Sequence, residues 1–221
     1  MIKLISVFLV LFTYFLYADE VSSEKIKEKT QIKCGNLIYS GTKSSVCFAD
    51  KFLSRASTMT NMNIARNFID VKLSSEDLFE TPMVVFSGEG SFSLNESEQK
   101  NLRKYILNGG FVMASPGCSN AEWDTSFKHM VKTVFPEYKI KKIPMTHPIF
   151  NLIYEVPKLT LKSGGSALID GLFIDDKLVM VYSREGLNDV RNAKGCCCCG
   201  GDEIKQSQMV NVNILTYVLL N

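Results

Sequence analysis

Met83-Val84-Val85-Phe86-Ser87-Gly88-Glu89-Gly90 is a run of four apolar residues that leads into a glycine-rich turn, and Pro82 precedes it. A short, continuous apolar run bounded by turn residues is typical of a strand that is buried on both faces of a parallel sheet. Phe111–Ala114 repeats this pattern directly after Gly109-Gly110. The sequence therefore predicts two buried parallel strands at the centre of an α/β fold.

Helical patterns separate the predicted strands. Ser93-Leu94-Asn95-Glu96 predicts a capping box at the start of a helix that ends at Gly109-Gly110. Further helices are predicted near residues 48–60 and from Ala121 to Val134, where apolar residues recur at helical spacing. Strands that alternate with helices indicate a mostly parallel sheet that is covered on both faces.

Shorter strands are predicted around this centre, at Asn36–Tyr39, Phe68–Leu73 and Tyr138–Ile143. Asp175-Asp176 stands between two apolar runs, Gly171–Ile174 and Lys177–Tyr182, and this arrangement predicts a β-hairpin.

The last segment, Glu203–Leu220, has features of both a strand and a helix. Val210–Ile214 alternates like a strand, but the length of the segment favours a helix. Asp202-Glu203 follows two glycines and is expected at the amino end of that helix, where the helix dipole favours acidic side chains.

The amino-terminal residues have the pattern of a targeting segment. A basic start at Lys3, an apolar run from Leu4 to Tyr17 and the small residue Ala18 predict a signal peptide over residues 1–18. Leu16 is large for the third position before the cleavage site, where signal peptides have a small residue, so a retained membrane anchor is the alternative. The sequence thus predicts an exported protein of the periplasm or cell envelope, with a solvated lead-in over 19–33 and one α/β domain over 34–221.

The charge of the chain argues against nucleic acid as a partner. Its 25 basic and 23 acidic residues give a net charge of +2, and loss of Lys3 with the signal peptide would leave 24 against 23. Proteins that bind nucleic acid carry a marked basic excess. Contact with a membrane is expected only through a retained amino-terminal segment.

Two loops are expected to form a binding face. In open parallel sheets, ligands bind beyond the carboxyl ends of the strands. One loop follows each buried strand there, and its glycines let the backbone approach a ligand closely. Ordinary strand-to-helix turns are the alternative. The expected binding residues are Ser87, Gly88, Glu89, Gly90, Gly117 and Cys118.

Cys118 is a candidate nucleophile, because a strand–turn–helix places such a residue at an exposed elbow. His147, held extended before Pro148, is the better of the two histidines as a base, since His129 is expected in solvent. With Glu89 these residues form a candidate triad on one edge of the sheet. The sequence Pro116-Gly117-Cys118-Ser119-Asn120 lacks the Gly-x-Cys-x-Gly motif, so whether the chain is an enzyme stays open, and a non-catalytic role is favoured.

Cys196-Cys197-Cys198-Cys199 is the most unusual string among the seven cysteines of the chain. Thiolates select soft metals, so this loop is a candidate metal or redox site. The alternative is a disulfide from the loop to Cys34, Cys47 or Cys118, because exported proteins meet oxidising conditions.

Several strings together resemble a bacterial family, the domain of unknown function 4159. The resemblance implies a class I glutamine amidotransferase-like fold, which is a flavodoxin-like three-layer sandwich, and it defines no activity. The strings include Cys34–Tyr39, Val46–Phe52, Ser87–Gly90, Asn108–Phe111, Gly117-Cys118, Trp123–Phe127, Thr146–Phe150, Val181–Ser183 and Cys196–Ile204.

Three functions follow from these residues. The first is a non-catalytic envelope protein that binds a small ligand or a protein partner at the carboxyl ends of the strands. The second is a cysteine-dependent hydrolase or amidase-like enzyme. The third is a cysteine-rich protein that binds a soft metal ion or has a redox role.

Overall fold

A mixed β-sheet with helices on both faces forms the protein. The computed structural model describes residues 31–41, 43–44, 48–188 and 202–221, and Lys33–Asn221 makes up one compact unit. The described elements, in chain order, are β1 (Gly35–Ile38), α1 (Lys51–Thr60), β2 (Ile69–Lys72), β3 (Met83–Phe86), α2 (Glu96–Leu107), β4 (Phe111–Ala114), α3 (Ala121–Val134), β5 (Lys141–Lys142), β6 (Asp170–Ile174), β7 (Lys177–Tyr182) and α4 (Ser207–Leu220).

The order of the strands in the sheet is β2-β1-β3-β4-β7-β6-β5. The first five strands in this order are parallel, whereas β6 runs antiparallel to both β7 and β5. This parallel order is that of flavodoxin-like sheets. The predicted α/β sandwich, with its mostly parallel sheet and its carboxyl-terminal hairpin and helix, is confirmed.

The core lies on both faces of the central strands. All four residues of β3 and all four of β4 are buried, as the continuous apolar runs predicted. Helices α2 and α3 pack on one face, where Tyr105 and Trp123 join the main apolar cluster. On the other face, the ring of Tyr217 in α4 contacts that of Phe111 in β4. Arg55 of α1 donates a hydrogen bond to Gln208 of α4, so these two helices are neighbours.

The capping box of α2 was predicted two residues too early. Asn95 caps the helix: its side chain accepts from the Glu98 amide, and the Glu98 carboxylate accepts from the Asn95 amide. Both Ser93-Leu94-Asn95-Glu96 and Asn95-Glu96-Ser97-Glu98 fit the pattern, so spacing alone did not distinguish them. Glu98 also accepts a 2.7 Å hydrogen bond from the Ser40 amide, which connects the helix to the turn after β1.

The predicted strand over Tyr138–Ile143 is wrong in its extent, because only Lys141–Lys142 pairs with β6. Tyr138 and Ile140 instead pack against the core as partly buried side chains. The alternation in this segment therefore reflects burial against the core rather than a long β-ladder.

The last helix was predicted correctly, but its start was not. α4 begins at Ser207, so Asp202 and Glu203 lie outside its first turn. Glu203 is instead buried and forms an ion pair with Lys162. The hairpin turn matches its prediction, since Asp175 and Asp176 have φ values of 48° and 61°, as a two-residue type I′ turn requires. Among the described residues, no helix is long and apolar enough to cross a membrane.

Candidate functional site

The loops after β1 and β3 meet at the carboxyl edge of the sheet. The chain leaves β1 toward α1 and leaves β3 toward α2, and these helices cover opposite faces. Adjacent strands whose connections diverge in this way open a crevice at a topological switch point, where α/β proteins bind ligands. The predicted binding residues Ser87 to Gly90 lie beside this switch point.

Two side chains that follow β1 hold the loop after β3 in place. Lys43 donates from Nζ to the carbonyl of Ser91 over 2.8 Å and to that of Glu89 over 3.4 Å. Tyr39 donates to the Ser87 carbonyl over 3.1 Å and accepts a 2.7 Å hydrogen bond from Nε1 of Trp123. Burial raises the pKa of Tyr39 to about 12, so its hydroxyl stays protonated as a donor.

Direct hydrogen bonds join the loops after β3 and β4. The Gly117 amide donates to the Gly88 carbonyl over 2.8 Å, and Ser87 Oγ donates to the Ser115 carbonyl over 2.6 Å. The Gly90 amide donates to Asn120 Oδ1 over 3.1 Å. A side chain at Gly88 would collide with the Tyr39 hydroxyl, so glycine allows this close approach. The two loops therefore form one continuous surface.

Glu89 and the Cys118 loop are neighbours on this surface. Glu89 is exposed, and its Oε1 lies 3.3 Å from the place where a Cβ on Gly117 would stand. Cys118 is half-buried. Its φ is 50° and that of Ser119 is 53°, which is the left-handed region that non-glycine residues seldom occupy. Such backbone strain is common at functional sites.

His147 is at the opposite edge of the sheet, so the expectation that Glu89, Cys118 and His147 share one edge was wrong. The His147 ring lies 5.3 Å from that of Tyr217, and the Tyr217 ring lies 6.4 Å from that of Phe111, the first residue of β4. Cys118 follows the other end of the same strand. The prolyl bond after His147 holds that residue extended but does not determine which edge it reaches.

The structural role of His147 accounts for its position. Its Nδ1 accepts a hydrogen bond from the Ile149 amide and caps a short 3₁₀ turn at Pro148–Phe150. Burial lowers the pKa of His147, which favours its neutral form. His129, the other histidine, is exposed on α3.

Asp202 connects three loops of the carboxyl edge, a role that the sequence did not reveal. Its carbonyl accepts from Ser119 Oγ over 3.0 Å and from the Gly186 amide over 2.8 Å. Its carboxylate accepts from the amide and the hydroxyl of Ser163, and the hydroxyl lowers the pKa of Asp202. The Gly-Gly-Asp-Glu string indicated a helix start, and no spacing pattern indicated these distant partners.

Asn188 and Asp202 flank the segment 189–201, and both contact the loop after β4. Ser115 Oγ donates to Asn188 Oδ1 over 3.0 Å, and Asn188 Nδ2 donates to the Pro116 carbonyl over 3.4 Å. The predicted metal or disulfide loop, Cys196–Cys199, lies outside the described residues, as does Cys47. Within the described ranges, no group of three or more histidine, cysteine or acidic residues is placed to hold a metal ion.

Comparison with known proteins identifies the family. The model of the domain of unknown function DUF4159 matches residues 40–219, which is most of the chain and includes Lys43 and the loops after β3 and β4. No curated protein matches the sequence. The chain therefore belongs to the DUF4159 family.

Proposed function

We propose that this protein is a non-catalytic binding protein of the cell envelope, which holds a small ligand or a protein partner at the carboxyl edge of its sheet. The observation that carries the proposal is the joined surface at the switch point. The loops after β1, β3 and β4 meet there through the contacts Lys43–Ser91 and Gly117–Gly88.

Hydrogen bonds between the loops hold this surface in one arrangement. Each loop is fixed by hydrogen bonds to another loop rather than only to its own strand, and Asp202 adds the loops that contain Ser163 and Gly186. A binding surface that is fixed in advance loses little conformational entropy when its partner binds. The exposed carboxylate of Glu89 can then contribute directional polar contacts at the centre of this surface.

The placement of the histidines favours binding over catalysis. A cysteine nucleophile is usually activated by a base within hydrogen-bond distance. Neither of the two histidines is near the Cys118 loop. His147 packs against Tyr217 at the other edge, and His129 lies roughly 12 Å along α3 from the helix start that follows the loop.

The location in the envelope rests on the amino-terminal sequence alone. A signal peptide that ends at Ala18 would give a mature chain that starts at Asp19. The intact mass of protein recovered from the producing cells tests this part of the proposal. A mass that begins at Asp19 supports export with cleavage, whereas a retained Met1 shows that no cleavage occurs.

Native mass spectrometry of protein purified without denaturation tests the binding role. We expect a co-purifying species whose amount falls at least tenfold in Glu89→Arg. The matched control is Glu80→Arg, which reverses an exposed charge just before β3, at the amino edge. Equal amounts in both variants, or only the bare protein in the wild type, would contradict the proposal.

A thiol-dependent hydrolase is the second candidate, and the left-handed backbone at Cys118 favours it. In such an enzyme the thiolate attacks an acyl carbon, the alcohol or amine leaves with a proton, and water then cleaves the thioester. Incubation with 4-nitrophenyl acetate distinguishes the two functions. A transient acetyl adduct that Cys118→Ser abolishes would support the hydrolase, and its absence would support the binding role.

A further inference from the structure

The amino edge of the sheet has a cleft that is separate from the surface proposed above. It has a volume of about 340 Å³ and lies between the end of α2, the turn between β6 and β7 and the end of α4. Gly109-Gly110 lies along one side, and a Cβ on Gly109 would meet no atom within 4 Å. Sites for small molecules usually measure about 300–1,000 Å³, so this cleft is within their range.

Apolar side chains make up most of the cleft wall. Ile106, Phe111, Leu178 and Val218 line it. Leu107 also lines it and has 49% of its surface exposed, so part of the apolar wall is in contact with water. Exposed apolar surface around a concavity is typical of sites that bind another molecule. An apolar ligand would remove this surface from water.

The charges at the cleft favour a neutral ligand. Asp175 and Lys177 are the acidic and the basic side chain that line it, so the side-chain charges cancel. Lys177 Nζ already donates a 2.7 Å hydrogen bond to a backbone oxygen of Asn221. A charged ligand would lose its hydration on entering the apolar cleft without gaining an excess of opposite charge.

Tyr217 supplies one polar group to the cleft. It lines the cleft and is only 8% exposed. The hydroxyl of Tyr217 makes no hydrogen bond to another described residue, and it is not one of the buried polar atoms that lack a partner. It is therefore open to solvent, and a ligand with one donor or acceptor can replace water as its partner.

We propose that this cleft binds a neutral, mainly apolar small molecule that carries a single hydrogen-bonding group, such as a substituted phenol or an alcohol. The ligand has about ten non-hydrogen atoms, because the volume of the cleft is near the lower end of the range for ligand sites. The apolar body lies against Phe111 and Val218, and the polar group bonds to the Tyr217 hydroxyl. This site is independent of the proposed function at the carboxyl edge.

Calorimetric titration of the full chain with four matched probes tests the ligand class. The probes are 4-propylphenol, propylbenzene, 4-propylbenzoate and 4-propylbenzylamine. We expect 4-propylphenol to bind about five- to tenfold more tightly than propylbenzene, because one neutral hydrogen bond typically increases affinity by this factor. The anion and the cation should both bind more weakly than the phenol. Tighter binding of either charged probe would overturn the proposal.

Three variants test the place of binding. Tyr217→Phe should weaken 4-propylphenol to the affinity of propylbenzene and leave propylbenzene unchanged, because only the hydroxyl is lost. Val218→Trp should fill the cleft and abolish binding of both probes. Leu168→Trp, at an exposed position outside the cleft, is the control and should bind as the wild type does. The inference fails if no probe binds, or if Tyr217→Phe still binds the phenol more tightly than propylbenzene.

Discussion

The Trp123 indole donates a 2.7 Å hydrogen bond from Nε1 to the Tyr39 hydroxyl, and this contact links helix α3 to the end of β1. The same hydroxyl donates to the Ser87 carbonyl, so one buried side chain connects the loops of two neighbouring strands. Gly88 packs directly on this pair. The shape of the proposed binding surface therefore depends on aromatic residues beneath it.

Gly88→Ala should destabilise the protein, because its new methyl group would overlap the Tyr39 hydroxyl. We expect the free energy of unfolding to fall by about 1–3 kcal/mol, which is typical of overpacking in a core. Denaturant unfolding can be followed by the fluorescence of Trp123, the one tryptophan in the chain.

Tyr39→Phe provides the control for this prediction. It removes the overlapping oxygen but leaves the Trp123 N–H without its partner, so it should destabilise the wild type by about 1–3 kcal/mol. The double variant should lose less unfolding free energy than the two single variants lose together, because both substitutions act on one contact. Strict additivity would show that Gly88 and Tyr39 do not interact.

The capping box at the start of α2 gives a second prediction. Asn95→Ala and Glu98→Ala should each lower the free energy of unfolding by about 1 kcal/mol, since each leaves helix amides without a partner. Ser93→Ala and Glu96→Ala are matched controls at the residues that the sequence pattern first suggested. Both are exposed and should change stability by less than about 0.5 kcal/mol. A larger loss of unfolding free energy in the Ser93 and Glu96 variants would show that Ser93, rather than Asn95, caps the helix.

Asp170 should make stability depend on pH. Burial raises its pKa above the usual 3.8, although the nearby Lys128 and Lys142 act in the opposite direction. Because the folded-state pKa is raised, the stabilising contribution belongs to the protonated form and is lost as the pH rises from about 4 through the folded pKa. Asp170→Asn should therefore raise the unfolding free energy at pH 7, and this gain should shrink as the solution is acidified.

Urea denaturation of Asp170→Asn at a series of pH values from 3 to 7 measures this effect. Asp176→Asn, in the exposed hairpin turn, is the control and should follow the wild type throughout. A gain for Asp170→Asn that stays constant with pH would mean that the carboxyl group does not titrate in this range.

Cys34 should resist alkylation in the folded protein. It is a fully buried free thiol, and burial raises its pKa to about 12, so very little of it is thiolate at neutral pH. Treatment with iodoacetamide followed by peptide mass analysis should label Cys34 only after unfolding. Labelling of Cys34 in folded protein, at the rate of a small free thiol, would contradict its buried position.

The sequence located strands and helices best where the pattern of apolar residues fits a single type of element. Met83–Phe86 and Phe111–Ala114 were located to the residue, because a run of only four apolar residues next to Gly or Pro is too short for a helix and is typical of a strand buried on both faces. The helix Ala121–Val134 was equally clear, since its polar and apolar residues alternate at helical spacing. The mostly parallel sheet followed from the alternation of these strands and helices, whereas the order of the strands did not.

The sequence was least informative about contacts between distant segments. His147 was assigned to the edge of Cys118, yet it packs on Tyr217, because a prolyl bond restricts the local backbone and carries no information on distant partners. Asp202 was interpreted as a helix-start residue, and its bonds to Ser119 and Ser163 span 83 and 39 residues. Such partners arise from the assembled fold rather than from spacing.

Site-specific photo-crosslinking in the producing cells tests the central claim, that the carboxyl edge of the sheet is the binding surface. A benzophenone amino acid replaces Glu89 at that edge, or Glu80, which precedes β3 at the opposite edge; both residues are exposed. We expect a defined adduct, either a larger complex or a discrete added mass, from position 89 and none from position 80. Adducts of equal yield from both positions, or from position 80 alone, would contradict the claim.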